Sequence, residues 1–321
     1  MRALIAPHPG GPEVLTMVDL PVPEPGRGEV RVAVKACGVN PLDYKVREGY
    51  RAEGRLWPAI LGWDVAGVVD AVGHDVESFS PGDPVFYCAD FARPGAYADY
   101  HIADATLLAP LPTGLTFPQA ASLPLAVGTV AQGLGRQARL APSETIAIFG
   151  AAGGVGGFAV AYAKHLGATV IAVASSGNAA YIDRLGADHI VAYDTIDPAT
   201  AIADLTDGRG VDVVFDTVGE SAFAQGIASL APFGRLVFLN AFAGGDGPLS
   251  SLNPARFVNA SLICELLIPA GETMRAVARL VASGAITPQA IETIPLDDVP
   301  DAHRLLATRR GHGKRVIDLR L

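Results

Sequence analysis

Cysteine is scarce: the three residues, Cys37, Cys88 and Cys264, lie far apart and form no CxxC pair. That excludes a disulfide framework and a cysteine-rich zinc lobe, and it suits a reducing compartment. No long basic tract exists and the formal net charge is −9, so a nucleic-acid surface is not expected. The N-terminus, MRALIAPHPGG, lacks a basic segment followed by an apolar core. Nor does any charge-free apolar run reach the roughly 20 residues that cross a bilayer. Cytoplasm is the expected compartment, with no membrane contact. Repeats of solenoid period and low-complexity segments are missing too.

What remains is a chain of 321 residues, half of them apolar, long enough for two domains. From Met1 to about Leu115, short runs broken by proline and glycine read as strands. Val30, Val32, Val34 and Ala36 alternate with Arg31 and Lys35, and further strands are expected at Val65–Val72, Val85–Cys88 and Ala96–Ile102. The pattern is that of a small barrel or sandwich. Asn40 to Tyr50 (NPLDYKVREGY) reads as a polar and aromatic loop after a strand. Thr116, with Gln119 three residues on, makes a capping box that starts a helix.

Beyond it, apolar strands recur at Ile146–Phe149, Thr169–Val173, His189–Ala192, Val211–Phe215, Arg235–Leu239 and Ser261–Leu266. Helical segments separate most of them, which predicts an α/β half built as a doubly wound, mostly parallel sheet. An amphipathic helix near Thr273–Ser283 follows. The closing RVIDL is strand-like and is expected to return to the first domain.

The chain is organised around residues 146–166, IAIFGAAGGVGGFAVAYAKHL. An apolar run without alternation stops at glycine, and Val155, Phe158, Ala159, Tyr162 and Leu166 then fall on one helical face. Such a strand, turn and helix lets the backbone at Ala152, Gly153, Gly154, Val155 and Gly156 approach a pyrophosphate, with the positive helix end toward the anion. Glycines also serve plain helix-to-strand packing. The second strand, Thr169–Val173, completes the βαβ unit that dinucleotide binding requires.

These features resemble the zinc-independent quinone oxidoreductase group, which includes ζ-crystallin, of the medium-chain dehydrogenase/reductase superfamily. The resemblance rests on GGPEVL (10–15), GVNPLDYKVREG (38–49), LGWDVAGVV (61–69), GAAGGVGGFAVAYAK (150–164), LGADHIVAY (185–193) and DTVG (216–219), and it spans nearly the whole chain. It implies a GroES-like catalytic domain from residues 1–121 and 267–321, a Rossmann domain over 122–266, and a cleft where nicotinamide meets substrate. It also implies a homodimer joined near Ser261–Leu267, although that strand could equally be internal.

Zinc-dependent relatives carry a cysteine and a histidine where this chain has Asn40 and Trp63. Losing two of three ligands removes the Lewis acid, so no metal is expected. Asp64 matches a glutamate of those relatives and is read as structural. The second Rossmann strand ends in Ser175, Ser176 and Asn178 without an acid, so NADPH is favoured over NADH. Relatives often have lysine at Asn178. By the resemblance, Tyr193 and Arg309 flank the 2′-phosphate, Thr129 lies near the nicotinamide ribose, and the backbone at Asn240, Ala241 and Phe242 lines the cofactor. Arg309 reads equally as part of a solvated cluster with Arg310, Lys314 and Arg315.

The resemblance puts Asn40, Asp43, Tyr44 and Lys45 beside the nicotinamide. Asn40 and Tyr44 are candidates to orient a substrate carbonyl, and Lys45 to donate a proton. The simpler alternative is that Asp43 pairs with Lys45 or Arg47 and fixes the loop. With no metal, the implied acceptor is a small electrophile that delocalises charge itself, a quinone or an α,β-unsaturated carbonyl. An enoyl-thioester reductase, for which the Arg47, Arg51 and Arg55 series is the only hint of a basic patch, and a non-catalytic NADPH-binding protein are the alternatives.

Overall fold

Alternating and unbroken apolar runs produce two different kinds of sheet. The computed structural model describes residues 1–50, 57–239, 259–308 and 311–321. They divide into a first unit, Met1–Gly128 with Ile268–Leu321, and a second, Thr129–Leu267. Among the described residues no helix is long and apolar enough to cross a membrane.

The first unit opens with β1 (Arg2–Ala6), β2 (Thr16–Asp19), β3 (Glu29–Val39), α1 (Pro41–Arg47) and β4 (Ala59–Ile60). It continues through β5 (Asp64–Val72), β6 (Pro84–Cys88), β7 (Tyr100–Asp104), β8 (Ala109–Pro110) and α2 (Phe117–Ala121). In β3 the alternation holds as read, with Val30, Val32, Val34 and Ala36 all buried. The strand expected at Ala96–Ile102 lies further on, as β7. Thr116 caps α2 as its sequence requires: its hydroxyl accepts from the Gln119 N–H, and the Gln119 side chain accepts from the Thr116 N–H at 2.9 Å.

Asn40 to Tyr50 is not the loop that its polar composition suggests, because α1 occupies most of it. Pro41 sits in the first turn, where its missing N–H costs nothing, and Asn40 and Asp43 form a reciprocal capping box. Local capping chemistry overrides composition here.

After α3 (Pro124–Val130) comes a π-helical turn at Ala131–Gln137, and then the second unit's alternation of strand and helix. Its elements are β9 (Thr145–Phe149), α4 (Gly154–His165), β10 (Thr169–Ala174), α5 (Ala179–Arg184), β11 (His189–Ala192), α6 (Pro198–Leu205), β12 (Val211–Asp216), α7 (Glu220–Ala228), β13 (Leu230–Phe238) and β14 (Ser261–Cys264). The sheet order is β11-β10-β9-β12-β13-β14 and every pairing is parallel. The order reverses direction beside β9, as in a doubly wound sheet. Ile146, Ala147 and Ile148 are fully buried, as expected of a strand covered on both faces.

The chain then returns to the first unit with α8 (Gly271–Ala282), β15 (Ile291–Ile294), α9 (Val299–Ala307) and β16 (Lys314–Asp318). β16 pairs antiparallel with β3, and Ile317 lies opposite Cys37, both fully buried. The first unit's larger sheet runs β15-β16-β3-β5-β6-β8, with β7 also on β3. Ile317→Ala leaves a cavity beside β3, and urea unfolding should show a loss of about 2–5 kcal/mol.

Candidate active site

In the second unit the turn after β9 is built by close backbone approach. Gly150 has φ +76°, and its N–H donates to the Val173 carbonyl at 3.0 Å. A Cβ on Gly150 would stand 2.4 Å from the Thr217 hydroxyl, and one on Gly156 would stand 2.2 Å from the Gly150 carbonyl oxygen. Only hydrogen fits at Gly156. The tight packing sets the start of α4 directly after the carboxyl end of β9. Its N-cap, Gly153, supplies no side-chain cap, so the N–H groups of Gly154, Val155 and Gly156 lack intrahelical acceptors. With Gly153 exposed and Ala152 buried, this turn fits a diphosphate. Thr129, buried on α3, belongs to the same unit.

The turn after β10 holds Ser175, Ser176 and Asn178 together, and both donors of Ser176 are already engaged. Asn178 Nδ2 donates to Ser175 Oγ at 2.9 Å. The Ser176 N–H and hydroxyl each donate to the Asp194 carboxylate at 2.8 Å, which holds Asp194 below the usual carboxylate range. The second strand supplies no acid, as read from the sequence; the neighbouring strand does. Asp194 was legible only through register, since Ala174 pairs with Ala192 and carries the two strand ends together. Tyr193, beside it, is 57% exposed.

In the first unit, two of the residues assigned to substrate handling, Asn40 and Asp43, enter a buried polar network. Asn40 is 2% exposed, its Nδ2 donates to Asp64 Oδ2 at 2.8 Å, and its Oδ1 accepts from Lys314 Nζ at 2.5 Å. Lys314 also reaches Asp64 at 3.2 Å, and Asp64 Oδ1 accepts from the Leu125 N–H at 2.6 Å. Lys314 is therefore not part of a solvated cluster; it starts β16 and is carried inward by the pairing with β3. Its ammonium lies against the Asp64 carboxylate. Trp63 is fully buried against Phe91, and among the described residues no group of three or more His, Cys, Asp or Glu could hold a metal ion.

Asp43 pairs with neither Lys45 nor Arg47. Its Oδ2 accepts from the Asn40 N–H at 2.6 Å and from the Tyr97 hydroxyl at 2.7 Å, while its Oδ1 has no partner among the described residues. Burial pushes its pKa up to about 7. Arg47 is buried rather than solvated: Nε donates to the Gly10 carbonyl at 3.0 Å and Nη1 lies 3.3 Å from His303 Nδ1. Burial, with Arg47 alongside, pushes His303 down to about 3. Tyr44 is buried on α1 and Lys45 half-buried.

A further buried carboxyl escaped notice because it sits inside an apolar run. Glu265, just past β14, accepts from Gln132 Nε2 at 2.8 Å, and burial raises its pKa to about 7. Asn240, Ala241, Phe242 and Arg309 lie outside the described residues, as do Arg51 and Arg55.

Residues 26–113 match the alcohol dehydrogenase GroES-like domain, and residues 154–283 match the zinc-binding dehydrogenase family. A quinone oxidoreductase of Pseudomonas aeruginosa is 36% identical, with 96% of each chain covered. Among solved structures, the Escherichia coli quinone oxidoreductase complexed with NADPH is 30% identical at a TM-score of 0.90, covering 99% of this chain and 100% of that one. A structure described as an NAD-dependent alcohol dehydrogenase is 34% identical at a TM-score of 0.91, covering 99% and 100%.

The raised Asp43 carboxyl makes a signed prediction. A group holding its proton to about 7 when folded, against about 4 when unfolded, adds stability in full below the lower value. That contribution is lost as pH rises to the higher value. Urea midpoints of the native chain should therefore fall more steeply from pH 4 to 7 than those of Asp43→Asn, by on the order of a few kcal/mol in stability. Parallel curves would contradict a neutral buried Asp43.

Proposed function

This chain belongs to the quinone oxidoreductase group of the medium-chain dehydrogenase/reductase superfamily, and on that premise we propose that it reduces quinones or α,β-unsaturated carbonyls with a nicotinamide dinucleotide, without zinc. The observation that carries the proposal is the Gly150–Gly156 turn, where a helix start without a side-chain cap follows the carboxyl end of a parallel strand.

The backbone N–H groups of Gly154, Val155 and Gly156 hold the diphosphate, and Thr129 contacts the nicotinamide ribose. NADPH is the favoured donor and NADH a possible one, which agrees with the NADPH in the Escherichia coli relative. The cofactor supplies the hydride when bound. Asn240, Ala241, Phe242 and Arg309 remain cofactor contacts in this proposal.

The acceptor's own chemistry follows from the first unit. The carbonyl oxygen of Asn40 is engaged by Lys314, and its amide donates to Asp64. This set keeps Asn40 in one orientation, with Asn40 and Asp64 both engaged by the Lys314 ammonium. The incoming negative charge must then spread over the acceptor, which selects quinones and conjugated enones over simple ketones. Tyr44 orients the acceptor, and protonation falls to Lys45 or to water. A homodimer joined through β14, the sheet's edge strand, completes the proposal.

The test is oxidation of NADPH and NADH with a benzoquinone, a simple enone and an enoyl-CoA, with and without a zinc chelator. The expected result is turnover of the first two acceptors, unchanged by the chelator. Turnover of enoyl-CoA alone would support thioester reduction instead, and loss of activity on chelation would overturn the zinc-free mechanism.

A further inference from the structure

The adenosine end of the proposed cofactor site contains a charge that the NADPH reading did not include. In doubly wound folds the second strand's end meets the adenine ribose, and an acid there holds the ribose hydroxyls. In this chain β10 ends at Ala174, and Ser175 to Asn178 form the following turn. Both Ser176 donors, the N–H and the hydroxyl, point to Asp194, each at 2.8 Å. Asn178 and Ser175 bond each other at 2.9 Å. Residues 174–178 and 192–196 contain no Lys or Arg. Of the groups expected to receive a 2′-phosphate, both donors of Ser176 are thus committed, and their partner is an anion.

We propose that Asp194 is a specificity-determining residue for the cofactor: it opposes a 2′-phosphate at Ser176 and accepts the hydroxyls of an unphosphorylated adenine ribose in its place. This deepens the dinucleotide reading above and rests on it.

The geometry has two consequences. A 2′-phosphate that took the Ser176 N–H and hydroxyl would have to break both bonds to Asp194 and then lie beside the freed carboxylate. An unphosphorylated ribose meets no such conflict. Each Asp194 oxygen accepts one bond from Ser176 and keeps a lone pair for a hydroxyl. Parallel pairing of β10 with β11 brings the carboxylate there, so an acid from the third strand does the work usually given to one on the second.

Asp194 is exposed, so solvent and salt weaken the repulsion. One unit charge against a phosphate dianion at about 6 Å in water-like surroundings still corresponds to a change on the order of tenfold in affinity. Asp194 is therefore expected to narrow the preference for NADPH over NADH by about tenfold in the native chain.

The experiment is calorimetric titration of NADPH and NADH into the native protein, Asp194→Asn and the control Asp204→Asn, at low and at moderate salt. Asn keeps an oxygen that accepts from Ser176 but removes the charge. Circular dichroism and melting temperature check that each variant is folded. The expected result is that Asp194→Asn shifts the ratio of the two dissociation constants roughly tenfold toward NADPH, less at higher salt, while Asp204→Asn leaves it unchanged. An unchanged ratio in Asp194→Asn, or an equal shift in the control, overturns the assignment while leaving cofactor binding intact. Failure of the native chain to take up either nucleotide overturns the dinucleotide reading and the assignment with it.

Discussion

The Gly156 α-carbon can pack against the Gly150 carbonyl only because Gly156 has no side chain. That single close approach fixes where α4 begins, and with it the direction of its uncapped N–H groups. Everything proposed for the second unit follows from it. A larger residue would push the helix start away from the strand end and weaken the field that a diphosphate meets there. The other strands of the sheet supply the frame, and the frame alone specifies no ligand.

The first unit uses polar residues in a different way. Asn40, Asp64 and Lys314 form a buried, mutually satisfied set drawn from the end of β3, the start of β5 and the start of β16. A buried ion pair of this kind gives modest net stability, yet removing either partner leaves an uncompensated charge. Its value lies in holding one arrangement of chain segments far apart in sequence. It also presents an ammonium rather than an open ligand set beside Asp64. The chemistry proposed here, with an acceptor that spreads its own charge, is consistent with that electrostatic environment.

Local features were legible in the sequence and long-range partnerships were not. Unbroken apolar runs marked the parallel strands, Thr116 and Gln119 marked a helix start, and the glycines marked the turn, because each signal is local and strong. Lys314 looked solvated because it stands in a run of charges; only the pairing of β16 with β3 turns it inward. Asp194 was missed for a related reason, since it meets Ser176 through parallel register across 18 residues of chain. Asn40 to Tyr50 has the polar composition of a loop, but the Asn40–Asp43 cap makes most of it helix. Glu265 was hidden in an apolar segment. For Lys314 and Asp194 tertiary pairing decided what composition left open, and for Asn40 to Tyr50 a local cap did.

The most direct measurement is titration calorimetry of NADPH into the native chain and into Gly156→Ala, with folding verified by circular dichroism. The account predicts one nucleotide bound per native chain and at least a roughly tenfold weaker affinity in the folded variant, because the added methyl group displaces the helix start. Equal affinity in the two proteins would contradict it.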